Sequence, residues 1–338
     1  MFSSIKRLVK EALRHRHRSL EDAFAFDIHH ILDGTLIRLV DVGAAGGILP
    51  RWRPYRKYTS FVGLEPDSRS SAELMQSKEA SEFGSYKIIP SGAWQSESSI
   101  HISFTRKPMC SSHFQPNKAF LARFPDLQRF DLVGVGEVKC QTLDRLMLED
   151  MDSIVDFIKL DLEGGELAVL SGAQSTLKTC LGLHVEVSFH SIRLEQPLFG
   201  DITAYLAEKG LEFLDFVTLC RWERDQYSGV GQAIFSDALY LRSPENMLEL
   251  LRKGELEKQR ANAYLAILVI YERYDLALAF LDLIAAEDLG IKTEYMQRVR
   301  NIVEVRKKTF DRRVSFLQKV CFLLSQWSSP NSGLHYLY

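Results

Sequence analysis

An acidic, glycine-rich string follows the first strand-like run of the chain. It reads V-D-V-G-A-A-G-G from Val40 to Gly47 and comes directly after the mainly apolar run 36–39. Gly43 and Gly46 allow a tight turn and a close approach of the backbone to a ligand. Asp41 places a carboxylate at the carboxyl end of the strand, where α/β sheets bind their ligands. The string predicts a nucleotide-sized site, and a strand turn without a ligand is the alternative interpretation.

The spacing of these glycines separates two ligand classes. A dinucleotide fold needs G-x-G-x-x-G, so that backbone amides and a helix N-terminus hold a pyrophosphate. Starting at Gly43, that pattern requires glycine at Ala45 and a small residue at Ile48, and neither condition is met. A G-x-x-G turn preceded by Asp41 suits a ligand with a cationic amine and no phosphate. S-adenosylmethionine is such a ligand.

A second acidic residue ends the next strand-like run. This run, 61–64, leads into Glu65, and Pro66 then stops the strand. Glu65 lies about twenty residues after the glycines, the offset at which an acid accepts hydrogen bonds from both ribose hydroxyls of an adenosine. We therefore predict that Glu65 binds the ribose. Capping of the following helix is the alternative role.

Three ionisable residues lie in the string D-F-I-K-L-D-L-E-G-G-E, from Asp156 to Glu166. Alternation along a strand directs Lys159, Asp161 and Glu163 to the same face. Burying such groups without partners would cost several kcal/mol, so they are hard to explain as core residues. They indicate a functional site. A pair of Lys159 and Asp161 at a solvated rim is the alternative.

Strand-like and helical runs alternate between residues 36 and 243, the pattern of a doubly wound α/β sheet. The last two strand-like runs, 211–216 and 232–241, predict one antiparallel edge on an otherwise parallel sheet. An irregular insertion at 108–130 is expected to lie close to the ligand crevice. We predict three parts, listed here in chain order: an N-terminal helical segment at 1–34, a ligand-binding domain at 35–243 and a C-terminal helical region at 244–338.

Composition limits the class of protein. A length of 338 residues suits one large α/β domain with a smaller appendage. The net charge of −2 does not indicate a dedicated nucleic-acid binder, and no basic stripe with interleaved aromatic residues favours an RNA methyltransferase. The five cysteines are widely scattered, which is typical of reduced thiols. With no signal peptide and an apolar stretch at 263–271 too short to cross a bilayer, we expect a cytoplasmic protein.

Taken together, the motifs resemble the FkbM family of S-adenosylmethionine-dependent methyltransferases. Beyond the strings above, the matching elements are T-L-D-R-L at 142–146, V-E-V at 185–187, P-L-F-G-D-I at 197–202 and D-A-L-Y-L-R at 237–242. The resemblance covers residues 35–243 and leaves both terminal helical segments outside. It implies a Rossmann-like methyltransferase sheet, mostly parallel with one antiparallel edge strand. It also implies an O-methyltransferase that acts on a hydroxyl of a sugar, a glycan or a secondary metabolite.

The resemblance implies roles for individual residues. Those expected to contact S-adenosylmethionine are Asp41, Gly43, Ala44, Gly46, Glu65, Pro66, Ser91, Gly92, Ala93 and Asp161. The serine-containing stretch of the insertion, with Ser111, Ser112 and His113, would contact the acceptor, and Glu186 is a further candidate for that contact.

Transfer of a methyl group to a hydroxyl requires alignment of the acceptor and removal of its proton. The catalytic candidates are Asp161, Glu163, His190 and Lys159. Alternation along the strand 183–189 puts His190 in line with Glu186, and its intrinsic pKa suits a base, although a surface histidine is the more common case. No metal is required. The carboxylates of Asp161, Glu163 and Glu186 would suit Mg²⁺ only if the acceptor were a vicinal diol.

The helical ends raise two interaction hypotheses. Apolar residues between Ile5 and Leu13 form a helical stripe followed by basic residues, so this helix would either pack on the C-terminal helices or rest peripherally on an anionic membrane. The basic segment 298–319 would form a homo-oligomer surface, a membrane patch or part of a bundle. Two functional alternatives remain: a methyltransferase acting on RNA or protein, and a non-catalytic scaffold whose helical tail binds a partner. The intact Asp41, Glu65 and Asp161 argue against the scaffold.

Overall fold

The computed structural model of the chain describes residues 25–150, 154–224, 226–287 and 289–327. Its strands are β1 (Ile37–Val42), β2 (Thr59–Leu64), β3 (Ser85–Ile89), β4 (Gly92–Ala93), β5 (Ser98–Thr105), β6 (Leu132–Gln141), β7 (Phe157–Leu160), β8 (Gly182–Ser188), β9 (Glu212–Phe216), β10 (Cys220–Trp222) and β11 (Gln232–Leu241). Its helices are α1 (25–32), α2 (Ser68–Met75), α3 (Lys118–Leu121), α4 (Leu143–Asp150), α5 (Glu166–Ser171), α6 (Gln174–Thr179), α7 (Phe199–Ala207), α8 (Pro244–Arg252), α9 (Arg260–Ile270), α10 (Tyr274–Ala285) and α11 (Thr293–Trp327).

Within these residues, eight strands form a central sheet in the order β10-β11-β8-β7-β1-β2-β3, with β9 also paired to β11. The five neighbouring strands β8, β7, β1, β2 and β3 run parallel to one another. Strand β11 is antiparallel to β8, β9 and β10. This arrangement confirms the predicted Rossmann-like sheet with an antiparallel edge. The register aligns Asp41 of β1 with Lys159 of β7, and Lys159 with His184 of β8. Three polar residues therefore lie side by side across the sheet.

The two faces of the sheet are covered by different parts of the chain. Side chains such as Val40, Ile158 and Val185 belong to one apolar cluster with α4 to α7. The alternate side chains, among them Leu39 and Phe157, belong to a second cluster with α1, α8 to α11 and the 3₁₀ segment Pro50–Tyr58. The C-terminal helices thus share their hydrophobic core with the sheet and form one layer against it.

A buried ion pair joins these C-terminal helices to the sheet. Arg260, the first residue of α9, places its Nε 2.9 Å from Oδ1 of Asp156, just before β7. The same guanidinium donates to the carbonyl of Val155 at 2.9 Å, and the Asp156 carboxylate also accepts the backbone N–H of Arg38 at 2.7 Å. Because both charged groups are paired and hydrogen-bonded, they can be buried at the amino ends of the strands.

The alternation of strand-like and helical runs also predicts a short strand at 138–143 and a single helix at 164–177, and both differ from the structure. The expected short strand 138–143 is the end of the longer β6, which pairs with β5 and β4 in a separate three-stranded sheet within the described residues. The helix predicted for 164–177 is divided into α5 and α6 at Gly172. A side chain at Gly172 would overlap the carbonyl oxygen of Trp94, so the close approach of these two segments requires glycine.

The terminal segments are described only in part. The N-terminal apolar stripe between Ile5 and Leu13, with the basic residues that follow it, lies outside the described residues. In α11, Val299 and Val303 pack into the core, and Arg298 pairs with Asp33 beyond α1. No helix in the described ranges is both long and apolar enough to cross a membrane.

Candidate active site

The glycine turn after β1 is packed closely on one side and open on the other. Gly43 has a φ of 83°, and its N–H donates to the carbonyl of Leu64 at 3.1 Å. A side chain at Gly43 would overlap the carbonyl oxygen of Asp161, whereas a Cβ added at Gly46 or Gly47 would meet no atom within 4 Å. The turn therefore contacts the end of β7 and leaves space along its second half.

The buried Lys159 holds this turn in place. Nζ of Lys159 lies 3.0 Å from Oδ1 of Asp41, donates to the carbonyl of Gly43 at 3.0 Å, and lies 3.6 Å from Oδ2 of Asp161. Three acceptors thus surround the three ammonium protons. Lys159 therefore holds the turn and the two carboxylates together.

The Asp41–Lys159 pair remains ionised at neutral pH. Burial raises the pKa of Asp41 to about 6, against the opposing effect of Lys159. Burial also disfavours the ammonium, but the charges of Asp41 and Asp161 outweigh it and raise the pKa of Lys159. Asp41 is 1% exposed, so its carboxylate is a counter-ion of Lys159. Asp161, whose side chain is 43% exposed, is the accessible acid of this group.

Glu65 lies buried at the end of β2. Burial raises its pKa, although the backbone amides of Asp67 and Ala45 favour the carboxylate, and the N–H of Asp67 donates to Oε1 at 2.9 Å. The cap of α2 is Asp67, which accepts the N–H groups of Arg69 and Ser70. The alternative role of Glu65 as a helix cap is therefore wrong. Pro66 separates the two acids and ends the strand.

Three carboxylates meet at the carboxyl ends of β7 and β8. One oxygen from each of Asp161, Glu163 and Glu186 lies within 4.8 Å of the others, and we call these residues the acid trio. Glu186 makes no hydrogen bond or ion pair with any residue that the structure describes. Burial and the charges of Glu163 and Asp161 raise its pKa well above its usual range. The arrangement can accept a proton or bind a hydroxyl.

The loop that carries two of these acids is held by residues that the sequence reasoning missed. Arg193, 2% exposed, forms an ion pair with Glu163. Oε1 of the buried Glu166 accepts the N–H of Leu162 at 2.7 Å and that of Gly164 at 3.3 Å. Burial raises the pKa of Glu166 to about 7. The repeated acid in E-G-G-E was a signal for Glu166, whereas nothing around Arg193 distinguishes it in sequence.

The insertion brings one predicted acceptor residue to the acid trio. The hydroxyl of Ser112 donates to the carbonyl of Glu163 at 2.8 Å, so this serine supports the loop. The hydroxyl of Ser111 accepts the N–H of Thr105, and the His113 ring contacts the carbonyl of His101 at 3.0 Å. Both serine side chains therefore make contacts within the protein.

The remaining candidates lie in other surroundings. The His190 ring stacks on Phe120 with centroids 5.3 Å apart and contacts Gln232 at 2.8 Å, so the structure does not group it with the acid trio. Ser91 donates to the carbonyl of Gly92, and Gly92–Ala93 form β4. A side chain at Gly92 would meet the sulfur of Cys140, so pairing with β6 already explains this glycine. Ala44 is buried in the glycine turn.

Residues 53–213 match the family model described as Methyltransferase FkbM domain. This part of the chain is an FkbM methyltransferase domain. The match confirms the resemblance inferred from the motifs. It includes Glu65, the acid trio, Glu166 and Arg193, whereas the glycine turn and β11 lie outside the matched residues of the FkbM domain.

No curated protein matches the chain. Several solved methyltransferase structures resemble it at very low identity. Magnesium protoporphyrin IX methyltransferase from Synechocystis PCC 6803 with bound SAM is 12% identical, with 70% of this chain and 84% of that one covered and a TM-score of 0.33. The precorrin-6y C5,15-methyltransferase of Geobacter metallireducens GS-15 is 10% identical, with 65% and 88% covered and a TM-score of 0.31. The N-methyltransferase NodS of Bradyrhizobium japonicum WM9 is 8% identical, with 67% and 97% covered and a TM-score of 0.32.

Proposed function

We propose that this FkbM-domain protein is an S-adenosylmethionine-dependent O-methyltransferase that acts on a hydroxyl of a sugar, a glycan or a secondary metabolite. The observation that carries the proposal is the acid trio beside the glycine turn, at the carboxyl edge of the sheet. Open α/β sheets bind their ligands at this edge. A proton-accepting cluster there suits an acceptor that must lose a proton, as a hydroxyl does.

The residues at this edge fit S-adenosylmethionine. The second half of the glycine turn borders open space, and Glu65 offers a carboxylate to the ribose at the end of the neighbouring strand. Because Asp41 is committed to Lys159, the exposed Asp161 is the better partner for the amine of the methionine group. When bound, S-adenosylmethionine supplies an electrophilic methyl group on a sulfonium.

The acid trio would take the proton from the acceptor. A base is most effective when its pKa lies near the working pH, and a positioned base contributes about 10²–10⁴-fold to the rate. The pKa of Glu186 is raised and its carboxylate has no partner among the described residues, so Glu186 is the member best suited to hold the proton. Asp161 and Glu163 would orient the acceptor hydroxyl, and Lys159 would keep the turn in place.

Calorimetric titration with S-adenosylmethionine and with NAD⁺ tests the ligand class. We expect binding of S-adenosylmethionine alone. Glu65→Gln should weaken it by a factor of about 10 to 100, since a hydrogen bond to a charged acceptor is worth about 1.5–3 kcal/mol. The exposed Glu73 on α2 provides the matched control, and Glu73→Gln should bind like the wild type. Tight NAD⁺ binding, or equal affinity of Glu65→Gln and wild type, would overturn the proposal.

Labelled methyl transfer to a panel of sugars, alcohols, amines, RNA and protein tests the acceptor class. We expect label on a hydroxyl compound, and Glu186→Gln should lose turnover while it keeps its affinity for S-adenosylmethionine. Label found only on amines, RNA or protein would contradict the O-methyltransferase assignment. An active Glu186→Gln variant would remove Glu186 from the proton-transfer role.

A further inference from the structure

Three loops meet at one buried arginine beside the acid trio. Arg193 follows β8, and its guanidinium pairs with Glu163 in the loop after β7 and donates to the carbonyl of Cys110 in the insertion at 3.3 Å. Its backbone N–H donates to the side chain of Gln196 at 2.9 Å. The Arg193 side chain therefore contacts both the insertion and the acid trio.

Backbone hydrogen bonds join the same two loops on either side of Arg193. The N–H of Leu194 donates to the carbonyl of Gln115 at 2.8 Å, and the N–H of Asn117 donates to the carbonyl of Ile192 at 2.8 Å. The side-chain amide of Asn117 also donates to the carbonyl of Ser191 at 2.9 Å. The insertion and the loop after β8 thus form one continuous wall, which we call the acceptor wall (residues 110–117 and 191–196).

Glu163 has a conformation that its surroundings must enforce. Its φ is 58°, in the left-handed region that few residues other than glycine adopt. Its carbonyl is held by the Ser112 hydroxyl and its carboxylate by Arg193, and both holding groups belong to the acceptor wall. The direction of the Glu163 carboxylate is therefore set by the wall rather than by β7 itself.

We propose that Arg193 is a positioning residue for the acceptor side of the active site: it directs the Glu163 carboxylate into the acid trio and locks the acceptor wall against it. The inference rests on the proposed function for its catalytic meaning. The charged groups around Glu163 are listed here with their signs: Asp161 and Glu186 are acids, and Arg193 and Lys107 are cations. Lys159 pairs with Asp161. Arg193 is the buried cation on the Glu163 side of this acidic cluster.

Arginine suits this position better than lysine. A guanidinium presents donors in a fixed plane and can reach a carboxylate and a carbonyl at once, whereas an ammonium is a compact point charge. Arg193→Lys should therefore keep the charge beside Glu163 but lose the bond to Cys110. Arg193→Met should lose both.

The test uses protein labelled with ¹³C at the glutamate carboxyls, with and without S-adenosylmethionine. The NMR resonance of Glu163 is assigned from its absence in Glu163→Gln, and its titration midpoint is compared with amide exchange at Asn117 and Leu194. In Arg193→Met the midpoint should rise by about one pH unit or more, because the carboxylate loses its counter-ion next to two other acids. Exchange at both amides should become at least about tenfold faster.

Arg193→Lys keeps the inference testable if the methionine variant fails to fold. It should titrate within about half a unit of the wild type and still exchange faster in the acceptor wall. The control is Arg106→Met, which removes an exposed ion pair with Asp131 where the chain enters and leaves the insertion, and it should change neither readout. An unchanged midpoint in Arg193→Met, or wild-type exchange in both Arg193 variants, would overturn the inference.

The outcome is separable from the proposed function. Calorimetry on the same samples should give affinities for S-adenosylmethionine within about threefold of each other, because Arg193 touches no residue of the glycine turn. Failure of the wild type to bind S-adenosylmethionine would remove the proposed function, and both readouts on Arg193 would still be measured without the ligand.

Discussion

Replacing Glu166 by glutamine should stabilise the protein at alkaline pH and leave its stability unchanged in acid. The Glu166 side chain is buried at the start of α5, and Oε1 accepts two backbone N–H groups of the loop that carries Asp161 and Glu163. A glutamine carbonyl can accept the same two bonds. The substitution therefore removes the charge while it keeps the contacts.

The magnitude follows from the pKa of Glu166. Burial raises it from 4.5 to about 7, so the folded protein keeps a proton that the unfolded chain has already lost between these two values. The stabilisation from this proton is complete below pH 4.5 and is lost as the pH rises to 7. At about 1.4 kcal/mol per pKa unit, the loss amounts to about 3 kcal/mol. Glu166→Gln should exceed the wild type by about that amount at pH 8.

Urea unfolding of the wild type and Glu166→Gln at pH 5, 6, 7 and 8 measures the difference. The gap between the two free energies of unfolding should widen with pH and level off above 7. Glu73→Gln, at an exposed position, should show no such gap. A gap that does not depend on pH, or a variant less stable than the wild type at pH 8, would refute the assignment of a buried neutral carboxyl at Glu166.

Two further substitutions test how the glycine turn is held. Gly43→Ala should abolish binding of S-adenosylmethionine in calorimetry, because φ of Gly43 is positive and the new methyl group would overlap the Asp161 carbonyl. Gly46→Ala should fold like the wild type, because a Cβ at this position meets no atom within 4 Å. Lys159→Met should lower the free energy of urea unfolding at pH 7 by about 3–5 kcal/mol, because it leaves the buried Asp41 without a counter-ion. Equal stability of Lys159→Met and wild type would show that this pair contributes nothing.

Local patterns were sufficient to predict the sheet and the edge that carries the site. Apolar runs broken at Asp41, Glu65 and Asp161 mark where three parallel strands end, and such ends converge in space. These predictions succeed because each depends on spacing within one strand and on the known geometry of parallel sheets.

Contacts between residues distant in sequence were not predictable in the same way. Asp41, which was predicted to contact the cofactor, instead forms a buried ion pair with Lys159 from another strand. Arg193 meets Glu163 only because the insertion and the loop after β8 are joined by hydrogen bonds. His190 follows β8 in line with Glu186, but the insertion supplies Phe120, which stacks on its ring. The insertion 108–130 takes part in both of these contacts, and its irregular sequence does not indicate where its side chains lie.

The C-terminal helices are translated after every strand of the sheet that they cover. In a nascent chain that ends at residue 243, every strand of the central sheet is present, but the apolar cluster around Leu39 and Phe157 lacks the side chains of α8 to α11. Asp41 and Lys159 project from that same face by alternation along their strands. The apolar cover of the face that carries this ion pair is therefore complete only after α8 to α11 have been translated.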